Sequence, residues 1–407
     1  AHTLELANGR VTINRYWELP SVKKEINMKE AVEKFRYLFQ GAIKRCLVAD
    51  VPVGVFLSGG LDSSTIVAEA SATKKISTLS YGFAGSVFDN SINELPFSRS
   101  VADKFKTYHR ELIEDSTNID ELILKINDIF DEPFADSSNI PVYLMSKLAA
   151  KKFKVILGGD GGDELLGGYD YWYKDLYYLQ KIFEGSSFSI IFLKILDKLF
   201  RKIHYQSNKF DQRRNALTLY NKFKNINHAH NAQNIYFSGL ELKNLGLDFE
   251  TNEYNIGEGT NTVNDAMNSD ISDYLPGDIL KKIDMSSMAC GLELRSPFLD
   301  VDFASFCIAL PDSLKINNKE SKVILRRAYE GSWPEIVRTR AKQGFGAPVI
   351  KWLKSGSMKN LKENYLKQNN KIFSILPFDK CLPFIEAGNY QTWILLNLSI
   401  WLEKHEY

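Results

Sequence analysis

At 407 residues with 44% hydrophobic content, the chain is long enough to form one large or two ordinary packed globular domains. The 51 Lys and Arg against 50 Asp and Glu leave a net charge of +1, which argues against a nucleic-acid sleeve or a binder of acidic surfaces. Four scattered cysteines, Cys46, Cys290, Cys307 and Cys381, form no CxxC pair and fit free thiols in a reducing cytosol better than a disulfide frame or zinc site.

In chain order, residues 1–20 read as a hairpin turning at Asn8-Gly9 and closed by Pro20. This start carries no signal-peptide pattern and no initiator Met, so the chain is expected to continue a longer one. Next, Ala31, Val32, Phe35, Leu38, Phe39, Ala42 and Ile43 recur at helical spacing. The run Val53–Leu57 reads as a buried strand, followed by a polar loop and a helix over Ser63–Ala70. "ISTLSYGF" is β-rich, "SRSVADKFK" and "IPVYLMSKLAAKKF" are helical, and "KVILGGDGGDELLGGY" is a strand that breaks into glycines. Strand alternating with helix predicts an α/β fold: a doubly wound, mostly parallel sheet buried on both faces, with added helices.

From about 171 to 270 the composition turns aromatic, basic and Asn-rich, and a helical segment is expected. Its "IIFLKILDKLFRKI" stretch puts Ile191, Ile195, Leu199 and Ile203 on one helical face, read as packing inside the fold. The apolar run Phe188–Phe200 is shorter than the ~20 residues a bilayer demands and carries Lys194, Asp197 and Lys198, so no membrane partner and a cytoplasmic location are expected. His228 and His230 in "HAH" read as a solvated loop. From Asp273 onward the chain is again read as helical.

The loop "SGGLDSS" carries the first chemical signal. A strand end meeting a helix start is where open α/β sheets bind ligands, and a helix N-terminus offers unpaired N–H groups to phosphate. Gly59 and Gly60 allow close backbone approach, and Ser58, Ser63 and Ser64 can add hydroxyl donors. No Lys follows the glycines, so this is not a Walker loop; by itself it could also be a glycine turn with an Asp cap. Asp62 would repel a phosphate unless a cation lay between, and Mg²⁺ suits one or two carboxylates plus phosphate oxygens. "GGDGGDELLGGY" then supplies Asp160, Asp163 and Glu164 at a second strand end, without the spacing of an EF-hand. "RTRAKQGFGAPV" offers Arg338, Arg340 and Lys342 as candidate cations for a leaving group.

Taken in order, "SGGLDSS", "DEPFADSSNIPVYLMSKLA", "GGDGGDELLGGY", "MACGLELRSPFLD" and "KQGFGAPV" resemble the synthetase domain of glutamine-dependent asparagine synthetases, of the PP-loop ATP pyrophosphatase superfamily. The resemblance runs over most of 16–352 and thins through 171–270. It implies an adenine-nucleotide-hydrolase-like fold over 23–407, preceded over 1–22 by the remnant of a linker. It further implies that a substrate carboxylate attacks ATP, giving an acyl-adenylate and pyrophosphate, and that ammonia then displaces AMP.

By this resemblance Ser58, Gly59, Gly60, Asp62, Ser63 and Ser64 hold the pyrophosphate, and Asp62 with Asp163 ligates Mg²⁺. Phe56, Tyr81, Gly158 and Gly159 line the nucleotide pocket, and Lys342 steadies the departing pyrophosphate. Asp160 stands where some relatives carry a Glu tied to adenylate formation and to deprotonating ammonium. Glu293 and Arg295 match the block near the aspartate site, where Arg295 would suit a carboxylate, or else form a structural ion pair. The expected acceptor is L-aspartate; sugar acids of surface polysaccharides, β-lactam closure and peptide cyclisation are the alternatives within the family. Family members that use glutamine begin with a catalytic Cys and a glutaminase domain, and here residue 1 is Ala. A glutaminase in cis beyond this sequence, one in trans, or free ammonia is therefore expected, and the resemblance allows a homodimer. A tRNA-modifying PP-loop enzyme is disfavoured by the near-zero charge, and an ATP-binding scaffold by the presence of Asp62, Asp163 and Lys342.

Overall fold

A computed structural model describes the chain except for residues 24, 84–93, 115–117, 186–207, 224, 234, 248–261, 341–343, 345, 357 and 406–407; at 114 and 208–214 it describes the backbone alone. The hairpin forms as read: β1 (His2–Ala7) pairs antiparallel with β2 (Arg10–Arg15), Ala7 opposite Arg10. Asn8 and Gly9 both take positive φ, the backbone a two-residue hairpin loop requires.

The centre is a parallel sheet of five strands: β3 (Val53–Phe56), β4 (Ser77–Phe83), β5 (Tyr108–Glu114), β6 (Val155–Leu157) and β7 (Glu293–Arg295), in spatial order β5-β4-β3-β6-β7. The doubly wound expectation holds. The order reverses between β3 and β6, and their carboxyl ends carry the two glycine loops picked out in the sequence. Two strands, β5 and β7, go beyond the sequence reading: "YHRELIE" and "ELR" are too polar to announce themselves, and β7 interrupts a stretch read as helical.

Helices cover both faces. On one, α1 (Met28–Cys46) turns Ala31, Phe35, Phe39, Ala42 and Ile43 inward to pack with α2 (Leu61–Thr73), Phe298 and Phe303. Asn27 caps α1 by accepting from the Glu30 N–H at 3.0 Å. Val155 and Leu157 of β6 enter this core, while Ile156 between them faces Ala149 and Phe153 on the other side, as strand alternation dictates. α3 (Leu95–Phe105) lies beside α2 on this first face, with Val101 and Ala102 in the same core. The second face is closed by α4 (Ile119–Asn127), α5 (Asn139–Ala149) and the last helix, Tyr390–Lys404, whose Trp393 and Trp401 are buried.

The described part of 171–270 is helical as expected. It centres on α7 (Asp170–Glu184), with further helices at Asn208–Lys222, Ile226–Gln233 and Val263–Ser272 around Tyr173, Leu176, Ile226 and Met267. The apolar face at Ile191, Ile195, Leu199 and Ile203 lies outside the described residues. The "HAH" expectation is corrected. His230 is 1% exposed within Ile226–Gln233, with Nε2 2.7 Å from Asp270 Oδ1, because Tyr173 and Trp172 pack against its ring.

Candidate active site

β3 runs into Leu57, and the chain turns sharply through Ser58–Gly60 before α2 begins. Gly59 takes φ +72°, and a Cβ there would lie 2.5 Å from Phe97 Cβ, so only glycine fits. The loop is tied by its own hydroxyls: Gly60 N–H donates to Ser58 Oγ at 3.2 Å, and Ser58 N–H donates to Ser63 Oγ at 3.3 Å. Gly60 caps α2 without a side-chain bond, which leaves the helix start open to a ligand, with Asp62 in its first turn. Arg340 braces the turn from outside: it donates to the Ser58 carbonyl at 3.2 Å, pairs with Glu94 at 2.8 Å and lies over the Phe97 ring.

The second loop leaves β6 at Gly158, passes Asp160 and enters α6 (Gly162–Leu166), with Gly161 at φ +85°. Asp163 sits in the first turn of α6 and faces Asp62 across the sheet's reversal point. Lys322 lies between them, its Nζ 2.5 Å from Asp62 Oδ2 and 2.6 Å from Asp163 Oδ1, with its side chain 4% exposed. It holds φ +53° immediately before the short helix Val323–Ala328, an uncommon backbone for a residue with a Cβ. Gly168 makes room for the pair, since a Cβ there would lie 2.0 Å from Asp163 Oδ1 and 2.2 Å from Lys322 Cε.

Both loops open into one cavity of about 520 Å³. Phe56, Ser58, Gly59, Gly60, Asp62, Ser63, Tyr81, Gly158, Gly159, Asp160 and Asp163 line it. Ser64 does not: it is fully buried in α2, and its Oγ has no partner among the described residues. Desolvation in the cavity lifts the Asp160 carboxyl to about 6, with Lys282 pulling it down and Asp163 and Asp62 pushing it up. Burial lifts Glu164 to about 7, reinforced by the charge of Asp163, and its Oε1 accepts from the Tyr169 hydroxyl at 2.6 Å.

Arg295 is not brought to the cavity. Its Nε donates to Glu293 Oε1 at 2.6 Å, and its Nη1 donates to the Cys46 and Val48 carbonyls at 2.9 and 2.7 Å. The pair therefore closes the end of α1 against the edge strand β7, and the structural ion pair is the reading that fits. Arg338 is engaged with Glu335 on the surface, and Lys342 lies outside the described residues. Sequence reasoning missed Lys322 and Lys282. A lysine directly before a short apolar run, "ESKVILRR", carries no local mark, and only tertiary placement next to two carboxylates distinguishes it.

The family model for asparagine synthase matches residues 34–403. The chain belongs to the asparagine synthase family. A putative asparagine synthetase (glutamine-hydrolyzing) 2 of Methanocaldococcus jannaschii is 44% identical over 157 residues, 38% of this chain and 30% of the relative. Asparagine synthetase (glutamine-hydrolyzing) 1 of Bacillus subtilis is 29% identical over 97% of this chain and 62% of its own length. A putative asparagine synthetase (glutamine-hydrolyzing) of Mycobacterium bovis is 31% identical over 82% of this chain and 50% of its own length. The chain thus spans between 30 and 62% of the length of these family relatives.

The two carboxylates fit a divalent cation. Asp62 Oδ1 is buried without a partner among the described residues, and both groups converge on the Lys322 ammonium. Two carboxylates leave the remaining positions for phosphate oxygens and water, as Mg²⁺ prefers.

Proposed function

We propose that this chain is an ATP-dependent amide-forming ligase that activates the side-chain carboxylate of L-aspartate as an acyl-adenylate and passes it to ammonia. The observation that carries the reading is the convergence of Asp62 and Asp163, from two strand ends at the sheet's reversal point, beside the open start of α2. The α2 N–H groups with Ser58 and Ser63 bind the β- and γ-phosphates. Mg²⁺, when bound by Asp62 and Asp163, offsets phosphate charge. Phe56 and Tyr81 flank the base and sugar, and Lys342 steadies the pyrophosphate.

In the first step a carboxylate oxygen bonds to the α-phosphorus and pyrophosphate leaves; in the second, nitrogen bonds to the acyl carbon and AMP leaves. Asp160, lifted to about 6, can accept the proton released as ammonium becomes the attacking amine. Ammonia derives from glutamine through a glutaminase in cis or in trans, as the names of the relatives suggest. A cytoplasmic setting accords with this chemistry. Among the described residues no helix is long and apolar enough to cross a membrane.

The test is exchange of labelled pyrophosphate into ATP with L-aspartate and no ammonia. Acceptor-dependent exchange that falls about 100-fold or more in Asp62→Asn and Asp163→Asn is expected. Wild-type exchange in both variants contradicts the metal assignment, and exchange without any acceptor contradicts the adenylate.

A further inference from the structure

Arg340 lines the cavity beside the first glycine loop, yet its guanidinium is already engaged on three sides. Its Nη1 donates to the Ser58 carbonyl at 3.2 Å, its Nη2 donates to Glu94 Oε1 at 2.8 Å, and its Cζ lies 4.3 Å from the Phe97 ring centroid. The side chain is 9% exposed. Glu94 stands at the N-cap position of α3, and Phe97 in the first turn of that helix is the residue pressed against Gly59. One arginine thus ties the turn after β3 to the start of α3. The main chain that carries it is fixed as well: Arg326 donates from Nε to the Ser321 carbonyl and from Nη1 to the Arg338 carbonyl, both at 3.1 Å.

A trans peptide unit is planar, so holding its carbonyl also aims the N–H on the opposite side of the plane. The Ser58 carbonyl points to Arg340, and the Gly59 N–H therefore points away from it. That N–H donates to no group among the described residues, and Gly59 lines the cavity. At φ +72° the glycine has no Cβ to restrain the peptide, so the bond from Arg340 supplies a restraint that the residue itself lacks. The charge is dealt with at the same time. A guanidinium beside a phosphate pocket would otherwise take phosphate oxygens through its planar fork. Here one Nη faces a carbonyl and the other faces Glu94, which leaves phosphates to backbone N–H groups and serine hydroxyls.

We propose that Arg340 is a positioning residue for nucleotide binding and that Glu94 keeps it off the phosphates. The arginine presets the Ser58–Gly59 peptide so that the Gly59 N–H is presented to a phosphate oxygen, and the glutamate stops the arginine from binding the phosphates itself. This rests on the ATP reading of the cavity and adds to it two residues with opposed effects. The sequence offered Arg340 as a cation for the leaving group; the geometry gives it to the loop instead.

Calorimetric titration of the full chain with Mg²⁺ and a non-hydrolysable ATP analogue tests this through two conservative variants. Arg340→Lys keeps the charge but replaces the planar fork with a single nitrogen, and is expected to bind the analogue about 10-fold more weakly. Glu94→Gln keeps the shape but releases the guanidinium, and is expected to bind the analogue about 10-fold more tightly. A purely structural ion pair predicts the same sign in both, because each variant breaks it. Affinity that falls in both variants, rises in both, or stays at the wild-type value in either overturns the proposal and leaves the ATP reading standing. A wild type that binds no analogue overturns the two together.

Discussion

Lys322 Nζ reaches Asp62 Oδ2 at 2.5 Å, across 260 residues of sequence. Asp163 meets the same nitrogen at 2.6 Å, so the buried Lys322 ammonium is shared by both carboxylates that would hold a metal. Removing it takes a shared buried cation from both carboxylates. Lys322→Met is predicted to destabilise the metal-free chain by about 3–5 kcal/mol. Mg²⁺ is predicted to restore much of that loss, so it should raise the melting temperature more in the variant than in the wild type. Thermal denaturation with and without Mg²⁺ measures both; a variant as stable as the wild type and blind to Mg²⁺ contradicts the account.

Gly59 and Gly60 are neighbours with different tolerances. A Cβ at Gly59 would meet Phe97 Cβ at 2.5 Å on a backbone at φ +72°, whereas at Gly60 the nearest atom is Ser58 Oγ at 3.3 Å. Gly59→Ala is predicted to cost roughly 2 kcal/mol or more through strain and overpacking, and to weaken ATP binding because the loop must shift. Gly60→Ala is predicted to fold as the wild type does. Chemical denaturation and nucleotide titration of the two variants provide the comparison, and equal losses in both would show that the turn is less constrained than described.

Asp175 gives the fold a pH dependence of its own. Burial in α7 lifts its carboxyl to about 6, with the Asn215 amide partly opposing, and Oδ1 has no partner among the described residues. The folded chain therefore binds this proton more tightly than the unfolded chain. The stabilisation is fully present below the ordinary value of 3.8 and is lost as pH rises through about 6. Asp175→Asn, which keeps the acceptor for Asn215, is predicted to remove about 3 kcal/mol of that dependence. Unfolding free energies of both proteins at pH 4 and 8 should converge at the lower pH and favour the variant at the higher one; a constant difference contradicts the shift.

Arg295 separates the sequence expectation from the structural one. Because it closes the end of α1 through the Cys46 and Val48 carbonyls, Arg295→Met is predicted to lower stability by about 1–3 kcal/mol. Its KM for the acceptor should be unchanged. A raised acceptor KM at unaltered stability would return Arg295 to the substrate site.

The frame was legible where a local pattern matched its burial. β3 and β6 read as strands because both faces are covered and every residue is apolar or glycine, and α1 because its inward residues keep helical spacing. The two glycine loops were legible because tight turns at strand ends leave few other residues possible. What escaped was set by tertiary contacts. β7 is a strand only because β6 lies beside it, and its three residues show no alternation that could be read in isolation. Lys322 and Lys282 gain their meaning from partners far away in sequence, and the match of "LELRSPFLD" to a substrate block drew attention to an arginine that serves the fold instead.

The most direct measurement is pyrophosphate release from Mg·ATP with ammonium chloride, run with L-aspartate, with L-glutamate, with uronic acids and with no acceptor, with the amide product followed by mass spectrometry. The account predicts release that depends on L-aspartate and yields asparagine. Release driven only by a uronic acid, or release equal in every tube, would contradict it.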